Sequence, residues 1–415
     1  MSMSSIINIG VNGLNAQSDY LTNIANNVTN VDTTGYKATT TSFADLVNGT
    51  TSGATVSGNA TGTGSGVTAT SHSSLSTQGS ITTTSSSLDV AISGSGLFQV
   101  QSADQTTSPG TYYTRDGQFQ VATASGKSGL YLQTESGMLV DGTAANGSGS
   151  ASPIEISSYG IMPQQATTSA TLTADVSSTT GAVSMSFSMT DYGTDSIPSD
   201  QASQQSYLTS YQAANGSGSL PTATTSTVTG TLARDSSGNW TITANGTTES
   251  VTPGTSFTIP GTSVTTTLSQ SVASSNTNSV AVSANGSARG SGASYSINSS
   301  GDVVASYSNG KSQVLANIPV FTAANVNGMS ETSGGLYQAT TASGTMTQQA
   351  LAGSGAASAT GSTLGTTLDT SSLESSNTDL ATELTNMIVA QRAYSAASKI
   401  VTTADSMMST LFQTR

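Results

Sequence analysis

Serine, aspartate and a single histidine, His72, are the residue types from which a nucleophilic triad is built, and serine and aspartate are plentiful here. That chemistry needs an oriented imidazole, and His72 stands in TATSHSSLST, a low-complexity stretch with nothing to hold a ring in place. We read it as a solvated side chain on a linker. The Gly94-x-Gly96 pair opens like a phosphate-cradling loop but lacks the third glycine and the following helix, so bending a strand is the simpler role. Acidic residues are scattered without the spacing of a calcium loop. The chain has no cysteine, which excludes thiolate metal sites and disulfides. Arg392, in QRAYSAASK, is expected to pair with an acidic neighbour or to cap a contact between subunits rather than to hold a ligand. No catalytic, cofactor or metal site is predicted, and the chain is not expected to be an enzyme.

If no residue constellation does chemistry, the elements themselves must carry the function, and the two ends differ from everything between them. From Ile7, steps of four and three reach Val11, Leu14, Ser18, Leu21, Ala25 and Val28, an apolar seam broken only by the serine. The spacing predicts a helix. At the other end Ala390, Ala393, Ala397, Ile400, Ala404, Met407 and Leu411 keep the same rhythm. A second row beside it runs through Leu380, Leu384, Met387, Tyr394, Val401, Met408 and Phe412, interrupted at Gln391, Ser398 and Asp405. One stripe is enough to seat a helix on its own domain, so two stripes predict neighbours on more than one side. Short helices in water draw most of their stability from packing, and both ends are expected to become ordered on assembly. After the first helix, Asn26, Asn27 and Asn30 suit a left-handed helix end, and Asp32, Thr33 and Thr34 suit turns. Gly35 then permits a corner that Tyr36 anchors, while Lys37 is expected to be a solvated charge.

Between the ends the composition is unusual. Only 34% of the 415 residues are hydrophobic and 7% charged, against roughly 25% charged in an average soluble protein. Serine, threonine, glycine and asparagine fill the gap. Nine basic against 22 acidic residues give a net charge of −13, which argues against nucleic acid and anionic membrane as partners. No apolar run is long enough to span a bilayer, and the N-terminal segment lacks the features of a cleaved secretory signal. SLDVAISGSGLFQVQS, YYTRDGQFQVAT and GLYLQTESGMLVDG alternate as strands, with turns expected at Asp116-Gly117, Ser136-Gly137 and Asp141-Gly142. A second strand-rich block has turns at Ser300-Gly301 and Asn309-Gly310.

The fold class predicted is α+β, mainly β: terminal α-helices paired as an antiparallel coiled coil, an inner β domain, and an inserted outer β domain. Residues 1–30 form the N-terminal helix, 31–70 a linker or extended segment, and 71–162 the first part of the inner β domain. The outer domain is 163–292, the inner domain resumes over 293–343, 344–372 is a linker, and 373–415 is the C-terminal helix. No other long amphipathic helix is expected between 38 and 370.

Several segments together carry a resemblance. ANNVTNVDTTGYK at 25–37, FADL at 43–46, LDVAISGSGLFQV at 88–100, YTRDGQF at 113–119 and LESSNTDLATELTNMIVAQRAYSAASKIVTTADSMMSTLF at 373–412 resemble the bacterial flagellar axial proteins of the rod and hook family. The length of the central insertion and GDVVASYSNGKSQVLANIPVF place the resemblance nearest the hook proteins, although 165–290 matches nothing residue by residue. The motif residues are Asn26, Asn27, Asn30, Gly35, Tyr36, Gln391 and Arg392. The resemblance implies a structural subunit that polymerises with itself into a bendable tube, a universal joint between rod and filament. It implies rod, hook cap and hook-filament junction proteins and the flagellar type III export apparatus as partners, and an extracellular location reached without signal cleavage. A distal-rod-like protein with an enlarged insertion, or a β-rich extracellular adhesin, are the alternatives. Surfaces of short polar side chains interlock little and exchange contacts for water cheaply, so the composition suits outer contacts that slide.

Overall fold

The computed structural model describes residues 3–48, 63–104, 110–127, 129–144, 150–177, 181–272, 277–349, 351 and 366–413. Its layers follow from where the chain can bury apolar surface. Helix α1 (Met3–Thr29) and helix α3 (Leu380–Gln413) lie antiparallel. A Cβ on Gly10 would meet Val401 at 2.7 Å, one on Gly13 would meet Ala397 at 3.7 Å, and Asn27 donates to Glu383 at 2.9 Å. As one residue number rises the other falls in step. Glycine costs helix propensity, but here it lets the two axes close up where a side chain would hold them apart. Neither helix is long and apolar enough to cross a membrane.

The end of α1 is built by its asparagines. The Asn30 amide and side chain both donate to the Asn26 carbonyl, and Thr33 donates to the Asn30 side chain. Gly35, at φ +67°, then turns the chain where a Cβ would strike the Asp116 amide. Helix α3 starts on Asp379, whose carboxylate accepts from the Ala381 and Thr382 amides.

The segment expected as linker after residue 31 contains an antiparallel ribbon, Thr39–Asn48 with Thr63–Ser73. It lies along α1: Tyr20 packs edge-on against Phe43 at 5.5 Å and Asn23 donates to Thr41 and Ser71. Residues 49–62, in the same expected linker, lie outside the described residues. The later linker also differs from expectation. Thr347–Gln349 pairs with Val320–Thr322, Thr367–Thr370 with Val90–Ser93, and Ser372–Glu374 with Ile81–Thr83. Strands of three or four Ser/Thr-rich residues have too little periodicity to be seen in a sequence. Their ladders are made by backbone, and Leu351 and Leu368 drop into the core. Residues 352–365, in that linker, lie outside the described residues.

The inner β domain buries Val90, Ile92, Phe98, Val100, Leu132, Val140, Ile156, Ile318 and their neighbours, with Phe98 and Phe119 edge-to-face at 5.2 Å. Gly94 and Gly96, both at positive φ, make the bend between Val90–Ser93 and Leu97–Gln101. The turns at Ser136-Gly137, Ser300-Gly301 and Asn309-Gly310 stand where expected, each glycine at positive φ. Asp141-Gly142 is not a turn. It ends the strand Leu139–Gly142, with Asp141 buried and accepting from Gln99 at 2.8 Å and Gln101 at 2.6 Å.

The outer domain is a sandwich of two four-stranded sheets around Leu172, Phe187, Leu232, Trp240, Ile242 and Leu268. Its sheet containing Ser169–Val176 pairs that strand parallel with Thr265–Val272 and antiparallel with Ser279–Ala284. Against residues 155–161 of the inner domain stands a helix the sequence did not announce, α2 (Gln201–Asn215). Its buried residues are Gln204, Gln205 and Leu208, so two of the three that fix it are polar and no apolar stripe marks it.

Candidate assembly interface and the joint beneath it

The contact between α1 and α3 mixes small and polar residues with a few apolar ones. On α1, Gly10, Ala16, Ile24 and Asn27 are buried; on α3, Ala390 and Ala404 are buried and Ala393, Ala397, Val401, Met387 and Met408 are half-buried. The predicted α1 seam is one residue out of step with this face. None of its members is buried: Ile7, Leu14, Leu21 and Val28 are half-buried, and Val11 and Ala25 are exposed. A shift of one residue turns a helix by about 100°, so the seam flanks the contact instead of making it. The two α3 rows are likewise shared out. Alanines of the first row and valine and methionines of the second are covered, whereas Leu380, Leu384, Tyr394, Ile400 and Met407 are exposed, Ile400 by 47% and Met407 by 53%. Ile388 and Val389, in neither row, are exposed too. The side chains of Leu411 and Phe412 lie outside the described residues. Much of the large apolar surface of α3 is therefore left open in a single chain, whereas on α1 only Val11 among the large apolar side chains described is exposed.

Beneath the helix pair, the corner after α1 is locked by charge. Lys37, expected in solvent, is fully buried: its ammonium donates to Glu374 Oε1 at 2.7 Å and to the Thr77 carbonyl at 2.7 Å. The other carboxylate oxygen, Oε2, takes the Arg115 Nε at 2.6 Å. Arg115 gives three of its four remaining N–H groups to the carbonyls of Ile92, Gly94 and Gly96, so the glycine bend is a guanidinium cradle. The Gly79 amide adds a bond to Glu374 Oε1 and the Gly35 amide one to the Glu374 carbonyl, each 2.7 Å. Burial pushes the Glu374 carboxyl up, but the Arg115 charge and the hydrogen bonds from Arg115 and Lys37 outweigh it and hold it below its ordinary value.

Three distant stretches, GYK, YTRDGQF and LESSN, thus meet in one buried cluster. Around it, Asn27 Oδ1 accepts from the Tyr36 hydroxyl at 3.1 Å and the Thr39 amide at 2.8 Å, while Asn377 Oδ1 accepts from the Ala38 amide at 2.7 Å. Tyr36 is buried and anchors the corner; Asn26, Gln391 and Arg392 are exposed. His72 is on the ribbon, exposed and 3.0 Å from the Thr40 hydroxyl, not on a linker. Asp116, beside the Gly35 crossing, has its carboxyl pushed up to about 6 by burial.

The outer joint is of another kind. Isolated bridges join Met162 with Gly290 and Gln165 with Ser287. Arg289 clamps Asp195 through Nη2 at 2.6 Å and Nε at 2.9 Å and also reaches the Pro221 carbonyl. Helix α2 ties in by side-chain amides: Gln204 donates to the Ile161 carbonyl at 2.8 Å, and Gln201 and Gln205 accept from the Ser157 and Ser158 amides.

The same segments are recognised by comparison with known proteins. Residues 7–37 match the flagella basal body rod protein family, 91–184 the flagellar hook protein FlgE/F/G D1 domain, and 370–414 the flagellar basal body rod FlgEFG protein C-terminal family. Over 438 aligned residues the chain is 30% identical to the flagellar hook protein FlgE of Salmonella typhimurium, covering 98% of each chain. The chain belongs to the flagellar hook protein family. Hook proteins of Escherichia coli, 29% identical over 428 residues with 98% of each chain covered, and of Brucella suis, 28% over 432 residues with 99% of each covered, are similar along the same length. The first and last family matches coincide with the two helices and the segments that feed the Lys37–Glu374–Arg115 cluster, and membership associates the chain with the flagellum.

Proposed function

We propose that this chain is the structural subunit of the flagellar hook, polymerising into a tube that bends as it turns and passes torque from rod to filament. The observation that carries this reading is the terminal helix pair of a hook-family chain, with the large apolar side chains of Leu380, Leu384, Ile388, Val389, Ile400 and Met407 left open on α3. Packing of that face against other copies supplies the dominant apolar contact, and a contact between unlike faces that does not close generates an open helix. Each exposed large side chain that becomes covered contributes about 1.5–3 kcal/mol at most. The outer sandwich, with its Ser/Thr surface, makes the contacts that re-form as each subunit passes from the inside to the outside of the curve. The site is mechanical, not catalytic. Rod, hook cap and junction proteins are the neighbours at the tube's ends; the subunit travels through the type III export apparatus to the outside of the cell without signal cleavage, and its terminal helices become fully ordered on assembly.

The test is the double variant Ile400→Asp and Met407→Asp. Both residues are exposed in the single chain, so circular dichroism and the Trp240 emission should be unchanged while electron microscopy finds no tubes. Tubes persisting in that variant would refute assembly through this face. Removing residues 165–290 should leave tubes with altered bending.

A further inference from the structure

The open apolar surface of α3 has two different shapes at its two ends. Near the start, Leu380, Leu384 and Ile388 recur every fourth residue and stand exposed as one ridge. Near the finish, Ile6, Lys399, Ile400, Thr403, Ala404 and Met407 line a groove of about 280 Å³ between α1 and α3. Ala404 forms a low floor where the ridge has its largest side chains. The charges also differ: the ridge begins with Asp379 and Glu383, and Lys399 stands on the groove wall.

Resting on the hook reading, we infer that the groove is the seat for the ridge of a second copy, so that Leu384 and Ile388 of one subunit enter between Ile400 and Met407 of the next. Subunits related by a screw operation hold their α3 helices in the same sense, so sliding one along the axis brings its ridge to the other's groove. From Leu384 to Ala404 is 20 residues, a slide of roughly 30 Å. The contact is heterologous, ridge to groove, and leaves a free ridge and a free groove at the ends of any row, which is what an open polymer needs. Acid beside the ridge meets the lysine beside the groove, which sets the polarity: ridge against ridge would bring Asp379 and Glu383 of both copies together.

The absence of cysteine makes the test clean. Chains carrying Leu384→Cys alone and Ile400→Cys alone are mixed, assembled and oxidised mildly, with Ile388→Cys and Met407→Cys as a second pair. Tubes whose disulfide-linked dimers form in the mixtures and not in either variant by itself are expected. Tubes in which Ile400→Cys links instead to Val11→Cys chains, or in which neither mixed pair links, overturn the inference while leaving the hook reading intact; failure of the unmodified chain to make tubes strikes the hook reading itself. Lys399→Glu should raise the critical concentration roughly three- to tenfold at low salt and less at high salt. An unchanged critical concentration at low salt contradicts the proposed polarity.

Discussion

The two joints of this subunit use opposite means. At the inner one, three charged side chains that are almost wholly buried tie both terminal segments to the β domain, and every partner is a named atom of the chain. At the outer one, a single ion pair, with Arg289 16% exposed, works alongside amide side chains and isolated backbone bridges. Removing one member of a buried ion cluster strands the others without water, whereas the outer joint spreads its hold over one ion pair and several separate neutral hydrogen bonds, each of modest net worth. The inner joint is therefore built to hold one angle, and the outer one to yield in small steps. For the hook subunit proposed above, that contrast amounts to a stiff inner connection and a more gradual outer one.

The largest break in this comparison should come from Glu374→Gln. It leaves Lys37 and Arg115 facing each other without a counter-charge and should cost about 3–5 kcal/mol. Hydrogen exchange at the Gly79 and Gly35 amides, which bond to Glu374, should speed up accordingly. Trp240 is the chain's one tryptophan and sits in the outer sandwich, so its unfolding signal should stay in place. Next, Gly35→Ala forces a side chain into the left-handed region with its Cβ 2.7 Å from the Asp116 amide nitrogen, at a cost of about 2–3 kcal/mol read by the same exchange experiment.

A sharper probe of the inner joint is pH. The Asp116 carboxyl is raised to about 6 in the fold, so between about pH 4 and 6 the native state binds the more protons. Its contribution is present below the unfolded value and is lost as pH rises through 6. Asp116→Asn should therefore gain about 3 kcal/mol over the parent as pH rises across that window, then hold a constant lead. Asp195 behaves in the reverse sense. Burial pushes its carboxyl up, but hydrogen bonds from Arg289 and from the Gln164 and Ile197 amides outweigh this and hold it below the ordinary range, so what it contributes is lost only as pH falls well into acid. The smallest effect belongs to the outer joint: Arg289→Ala should cost about 1–2 kcal/mol, because the Gln164 and Ile197 amides still serve Asp195. Limited proteolysis between the two β domains should accelerate while exchange at Gly79 does not change.

The comparison also explains what the sequence could tell. Helix periodicity at both ends and the turns at Gly137, Gly301 and Gly310 are local signals, and they were legible; the asparagines end α1 by hydrogen bonding and not by the expected left-handed residue, since Asn26, Asn27 and Asn30 all keep negative φ, and Asp141-Gly142 is a strand end. The face of α1 that meets α3 was not, because hydrophobicity marks what wants covering and does not say by whom: Gly10, Gly13 and Asn27 make the contact within the chain by closeness and hydrogen bonding, while Val11 stays open. Lys37 was misjudged for a related reason. Its counter-charge lies more than three hundred positions away, and nothing local in the sequence joins the two. Helix α2 and the short late strands had no signal, since polar side chains and backbone ladders hold them.

The antiparallel register of the helix pair has a practical consequence for anyone who wants to label this molecule. Residues 3 and 413 fall at the same end of the pair, beside the groove, so an epitope or fluorophore joined at either extremity would crowd the place where copies are proposed to meet. The hairpin tip at Asn245-Gly246, exposed on the outer sandwich, is the better attachment point: it lies outside the helix pair and the Gly246 position has open space for added atoms.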